Sequence, residues 1–69
     1  MEIMRHRSSF IAETGYDRMD GTLEIEFTDG KRFRYADVPQ GIYITLTTSA
    51  SIGKGFHRCI KDRYDGEEV

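Results

Sequence analysis

The segment Thr22–Ala36, TLEIEFTDGKRFRYA, constrains the fold more than any other part of the chain. Leu23, Ile25 and Phe27 alternate with Glu24 and Glu26, and after Asp29-Gly30 the residues Phe33 and Tyr35 alternate with Arg32 and Arg34. Period-two alternation on both sides of Asp-Gly signals a β-hairpin. A two-residue loop would set Phe27 against Arg32 and Glu26 against Phe33, mixing apolar and charged side chains on each face. A three-residue loop, Thr28-Asp29-Gly30, sets Phe27 against Lys31, Ile25 against Phe33 and Leu23 against Tyr35. It also sets Glu26 against Arg32 and Glu24 against Arg34. One face is then mainly apolar and the other is a lattice of opposite charges. The three-residue loop is therefore expected, with Gly30 in the left-handed position next to a G1 bulge.

Upstream, SSFIAETGY reads as a third strand in which Phe10, Ala12, Thr14 and Tyr16 share one parity and Ile11 lies on the other. Gly15 is read as a bulge marker, and Asp17 through Gly21 supply the turn into the hairpin. Downstream the period changes. Pro39 suits the first turn of a helix, and Ile42, Tyr43 and Leu46 recur at helical spacing. Thr45, Thr47, Thr48 and Ser49 are weak helix formers, so this helix is short. Ser51 is the expected N-cap of a second helix, whose apolar stripe is Ile52, Phe56, Cys59 and Ile60. The expected fold is α+β: a three-stranded antiparallel sheet followed by two short helices packed on its apolar face. The domain spans 8–64, and the polar ends, 1–7 and 65–69, are expected to be flexible.

Sixty-nine residues support one domain. A lone Cys59 cannot close an internal disulfide, and MEIMRHRSS lacks the apolar core of a signal peptide, so a reducing, cytoplasmic setting is expected. No apolar run approaches membrane length. The net charge of −2 conceals segregation: residues 1–30 carry −4, residues 31–61 carry +5 and residues 62–69 carry −3. Such blocks either generate a local field or are paired within the fold.

The ordered set Ser8-Ser9, Gly15-Tyr16-Asp17, Leu23, Ile25, Phe27, Gly30, Phe33-Arg34-Tyr35, Val38-Pro39, Tyr43, Ala50, Gly53-Lys54, Phe56 and Ile60 resembles the KTSC domain family. That family takes its name from the C-terminus of some lysyl-tRNA synthetases and also occurs as short stand-alone proteins. The resemblance turns the expectation toward RNA. Phe33 departs from the family's Tyr-x-Tyr by one hydroxyl.

Four residues are the candidate binding site. At 100° per residue Lys54, His57, Arg58 and Lys61 fall within an arc of roughly 100°, opposite Phe56, Cys59 and Ile60. A one-sided basic stripe suits phosphate contacts, and the bland alternative is a solvated helix face offset by Asp65, Glu67 and Glu68. Phe33 and Tyr35 are read as core rather than as a base-stacking platform, because they share a face with Leu23 and Ile25. SIGKG fails as a phosphate loop: Thr48 and Gly55 stand where a glycine and a hydroxyl residue are needed. His57 and Cys59, two apart on a helix, point away from each other, and one Cys with two His is too few for a zinc site. Glu24 and Glu26 share a strand face, but Arg34 and Arg32 account for them. The expectation is thus a non-enzymatic module without cofactor or metal, binding RNA or another nucleic acid. The alternative is a protein-interaction or homo-oligomerising module.

Overall fold

The computed structural model describes all residues from Met1 to Val69. Five strands form one antiparallel sheet in sequence order: β1 (Glu2–Arg5), β2 (Ile11–Asp17), β3 (Thr22–Phe27), β4 (Arg32–Tyr35) and β5 (Gly66–Glu68). Between β4 and β5 lie helix α1 (Gln40–Thr47) and helix α2 (Ile52–Phe56), the latter running directly into a π-helical turn, His57–Lys61. The α+β class and the two helices on one sheet face match the sequence reading. The strand count does not: there are five strands, not three. The two polar ends expected to be flexible supply the missing edge strands, Glu2–Arg5 against β2 and Gly66–Glu68 against β4. Every residue of both is exposed, so no burial pattern marks them in the sequence. They are held largely by backbone pairing, as in Val69 N–H to Arg32 O at 2.9 Å.

The central hairpin has the expected register, with Leu23 opposite Tyr35, Glu24 opposite Arg34, Ile25 opposite Phe33 and Glu26 opposite Arg32. Phe27 N–H donates to Lys31 O at 2.8 Å, and Gly30 N–H donates to Phe27 O at 3.0 Å with Gly30 at φ +93°. The three-residue loop follows from those two bonds. Strand β2 departs from its expected parity. Ile11 pairs with Phe27 but Glu13 pairs with Glu26, so β2 carries one extra residue at Ala12. This bulge, not Gly15, brings Ile11 onto the buried face with Thr14 and Tyr16. Gly15 lies in regular pairing opposite Ile3 and Glu24, and its missing Cβ leaves room for the Met1 and Ile3 side chains.

The apolar sheet face buries Ile11, Tyr16, Leu23, Ile25 and Tyr35 against Val38, Tyr43, Leu46, Phe56, Cys59 and Ile60. Tyr16 ties the layers together: its hydroxyl donates to Val38 O at 2.6 Å, and its ring stacks on Tyr43 at 4.5 Å. Helix α1 starts one residue later than expected, with Pro39 as its N-cap. Its poor helix formers bond back onto the helix: Thr45, Thr47, Thr48 and Ser49 hydroxyls donate to the carbonyls of Gly41, Tyr43, Ile44 and Thr45. Ser51 caps α2 as expected, accepting from Lys54 N–H.

The opposite sheet face is ionic. Arg32 reaches Glu13 at 2.6 Å, Glu26 at 3.0 Å and Glu24 at 3.2 Å, and Arg34 reaches Glu24 at 3.1 Å. The Glu13 bond, ahead of those to Glu24 and Glu26, raises the Arg32 guanidinium pKa above its ordinary value despite partial burial.

Candidate nucleic-acid interface

The ionic lattice decides which cations remain free. Arg32 and Arg34 are committed to the sheet, Arg18 to Glu2 and Arg5 to Glu13. Lys54, Arg58 and Lys61 form no ion pair and are exposed. The expected stripe is therefore present as a cationic helix flank. Its inward side is also as expected, with Phe56, Cys59 and Ile60 buried.

The four stripe residues do not act as one group. Lys54 and Arg58 line a cleft of about 230 Å³ between α2 and the end of α1, together with Thr45, Ser49 and Ser51. His57 turns the other way and stacks on Phe10, with ring centroids 5.5 Å apart and planes 10° apart. Lys61 closes the π-helical turn and lines no cavity. A widened turn of this kind recurs at functional sites in helices. Here it carries Arg58 itself and follows directly on the helix that carries Lys54.

A second polar cleft of about 380 Å³ adjoins the first across Ser49, Ala50 and Ser51. It adds Arg7, His6, Ser8 and Ser9. Arg7 also lacks an ion-pair partner, so unpaired cations stand on both sides of the hydroxyl-bearing Ser49–Ser51 segment. Guanidinium and ammonium groups beside a hydroxyl with a free proton are the chemistry that phosphate oxygens need. Thr45 and Ser49 give their protons to helix carbonyls, whereas Ser51, which accepts from Lys54 N–H, keeps its own to donate. Ser8 is partly occupied, since its hydroxyl oxygen accepts from Phe10 and Ile11 N–H. His6 donates to or accepts from the Thr14 hydroxyl at 2.9 Å, and burial lowers its pKa below the ordinary histidine value. The sequence reading missed Arg7, Ser8, Ser49 and Ser51 as site residues. The Ser8-Ser9 pair was visible in the family pattern, but its meeting with Ser49–Ser51 depends on a tertiary contact.

The acidic tail does not lie over the stripe. Glu67 and Glu68 are fixed in β5, opposite Arg34 and Phe33 respectively. Tyr35 is core, as expected, at 5% exposure; Phe33 is only half-buried and lines an aromatic hollow at the hairpin tip. Cys59 is a buried free thiol at the floor of the Lys54–Arg58 cleft. No helix is long and apolar enough to cross a membrane.

A five-stranded meander with two short helices on one face and a cationic, hydroxyl-lined cleft defines a small α+β domain. The KTSC domain pattern matches residues 7–64, and the chain belongs to that family. The crystal structure of a KTSC domain protein from Yersinia pestis superposes with a TM-score of 0.90 at 28% identity, covering 99% of this chain and 96% of that one. An uncharacterised protein of Stutzerimonas stutzeri is 33% identical over 84% of this chain and 82% of its own length. A lysine–tRNA ligase of Trichormus variabilis is 31% identical over 97% of this chain, and the chain spans only 12% of that ligase.

Proposed function

We propose that this domain is a non-enzymatic module that binds the sugar–phosphate backbone of RNA, or of another nucleic acid, without a cofactor. The observation that carries this reading is the pairing census of the cations. The sheet arginines are neutralised by carboxylates, whereas Lys54 and Arg58 are left unpaired in a cleft that also holds the Ser51 hydroxyl, whose proton is uncommitted. Lys61 extends the charge along the helix. Similarity to part of a lysine–tRNA ligase supports RNA as the first ligand to test. Contacts of this kind position a strand without reading its sequence. The buried, single Cys59 suits a reducing, cytoplasmic setting.

The test is a titration of fluorescent RNA into wild type, Lys54→Glu and Arg58→Glu. Each reversal is expected to weaken binding at least tenfold, equally for unrelated sequences. Full-strength binding by both variants contradicts the reading.

One feature favours a second reading. β1 is an exposed edge strand carrying Ile3 and Met4, each more than 40% exposed. Unpaired strand edges template association with another strand. A monomeric solution mass at high protein concentration disposes of self-association through that edge.

A further inference from the structure

Phe10 is 37% exposed and occupies the flank of α2 opposite to the Lys54–Arg58 cleft. Its ring lies along Gly53, where an added Cβ would sit 3.5 Å from Phe10 Cδ2, and it stacks on His57. It also meets Phe27 at 5.1 Å, and Phe27 meets Phe33 at 5.8 Å, edge to face. These three phenylalanines line a hollow of about 390 Å³ at the hairpin tip, within the size range of small-ligand sites. Its rim carries Thr28, Asp29 and Lys31. Lys31 is exposed and unpaired. One Asp29 oxygen accepts from Lys31 N–H at 3.0 Å, leaving the other available.

We infer that this hollow holds an unstacked nucleobase of a single strand whose phosphates lie along the basic helix flank. The inference rests on the nucleic-acid reading above and names its substrate class: unpaired rather than double-stranded nucleic acid. Several observations favour this occupant over an apolar peptide. His57 of the helix stacks on Phe10 at one side of the hollow, and the same helix exposes Lys54, Arg58 and Lys61, three cations that match a polyanion. The rim offers one donor, the Lys31 ammonium, and one acceptor, the Asp29 carboxylate. Base edges present acceptors and exocyclic amine donors side by side. Every base has a π-face, so stacking on phenylalanine works without sequence preference. A duplex keeps its bases stacked internally and gains nothing from the hollow.

The inference separates from the phosphate reading by a change of probe. An oligothymidylate and an abasic strand of the same length carry the same phosphates, and only the first has bases. At about 50 mM salt, wild type is expected to bind the base-bearing strand at least about fivefold more tightly, the lower end of one base–aromatic stack. Phe10→Leu is expected to remove that preference while its affinity for the abasic strand stays unchanged. Lys31→Ala, at an exposed site that leaves the fold undisturbed, is expected to narrow it. Equal wild-type affinity for both strands overturns the stacking site and leaves the phosphate reading standing. Failure of both strands to bind, with binding of an apolar peptide at the hollow in its place, overturns both.

Discussion

Arg32→Met should be the most destabilising exchange on the ionic face of the sheet. The register forces two carboxylates together, because Glu13 on β2 lies directly opposite Glu26 on β3. Like charges facing across strands are unfavourable. Arg32, on the next strand, reaches both, at 2.6 and 3.0 Å, and also Glu24 at 3.2 Å. Exposed ion pairs are worth about 0.2–1 kcal/mol each. The Arg32 side chain is 28% exposed, those of Glu13 and Glu24 are 15% exposed and that of Glu26 is 37% exposed, so the upper half of that range applies to the Glu13 and Glu24 contacts and the lower half to Glu26. Adding the unmasked Glu13–Glu26 repulsion gives an expected loss of about 2–3 kcal/mol. Methionine keeps most of the stem packing and removes only the charge. Urea unfolding at neutral pH measures the loss. At 1 M salt, with a Debye length of about 3 Å, the loss should shrink. Combining Arg32→Met with Glu13→Gln should cost less than the sum of the two, by about 1 kcal/mol. A loss under about 0.5 kcal/mol, or strict additivity, would refute the view that Arg32 neutralises a forced carboxylate pair.

Gly30→Ala should destabilise by about 1 kcal/mol from backbone conformation alone, since Gly30 sits at φ +93° with open space where a Cβ would go; an unchanged urea midpoint would count against it. Tyr35→Ala should cost about 3–5 kcal/mol and Phe33→Ala clearly less, because only Tyr35 is fully covered; equal losses on denaturation would contradict that ranking. The His6 pKa is lowered by burial, so the folded state binds the proton less readily than the unfolded chain. Its contribution is therefore present above the ordinary value of about 6.5 and is lost as pH falls below it toward the folded pKa. Stability measured from pH 7.5 down to pH 5 (a window of roughly one unit on either side of that value) should fall more steeply for wild type than for His6→Gln, and parallel curves would sink the assignment.

Much of the fold was legible because hairpin parity leaves a single self-consistent register. The same parity misled at Ile11, where a bulge at Ala12 shifts the face without any glycine to announce it. The edge strands EIMR and GEE were illegible, since both are exposed throughout and carry no alternation of burial. Their existence depends on the open edges of β2 and β4, the latter about thirty residues from GEE in sequence. The basic helix flank could be read from spacing alone. Its division could not: Arg58 faces Ser49 and Thr45 on one side, while His57 stacks on Phe10 on the other. Parity also assigns Phe33 a face without saying how far the helices extend over it, and they stop short of the hairpin tip. The joining of Arg7 and Ser8 to Ser49–Ser51 links segments some forty residues apart, which no local pattern encodes.

The most direct test of phosphate binding by the helix flank is the salt dependence of single-stranded RNA affinity for wild type and Arg58→Gln. With Lys54, Arg58 and Lys61 each engaging one phosphate, the log–log slope should be roughly −2. Removing the Arg58 charge should make it shallower by about 0.7, the value of one phosphate contact on a single strand. A wild-type affinity indifferent to salt, or a slope that Arg58→Gln leaves unchanged, would contradict it.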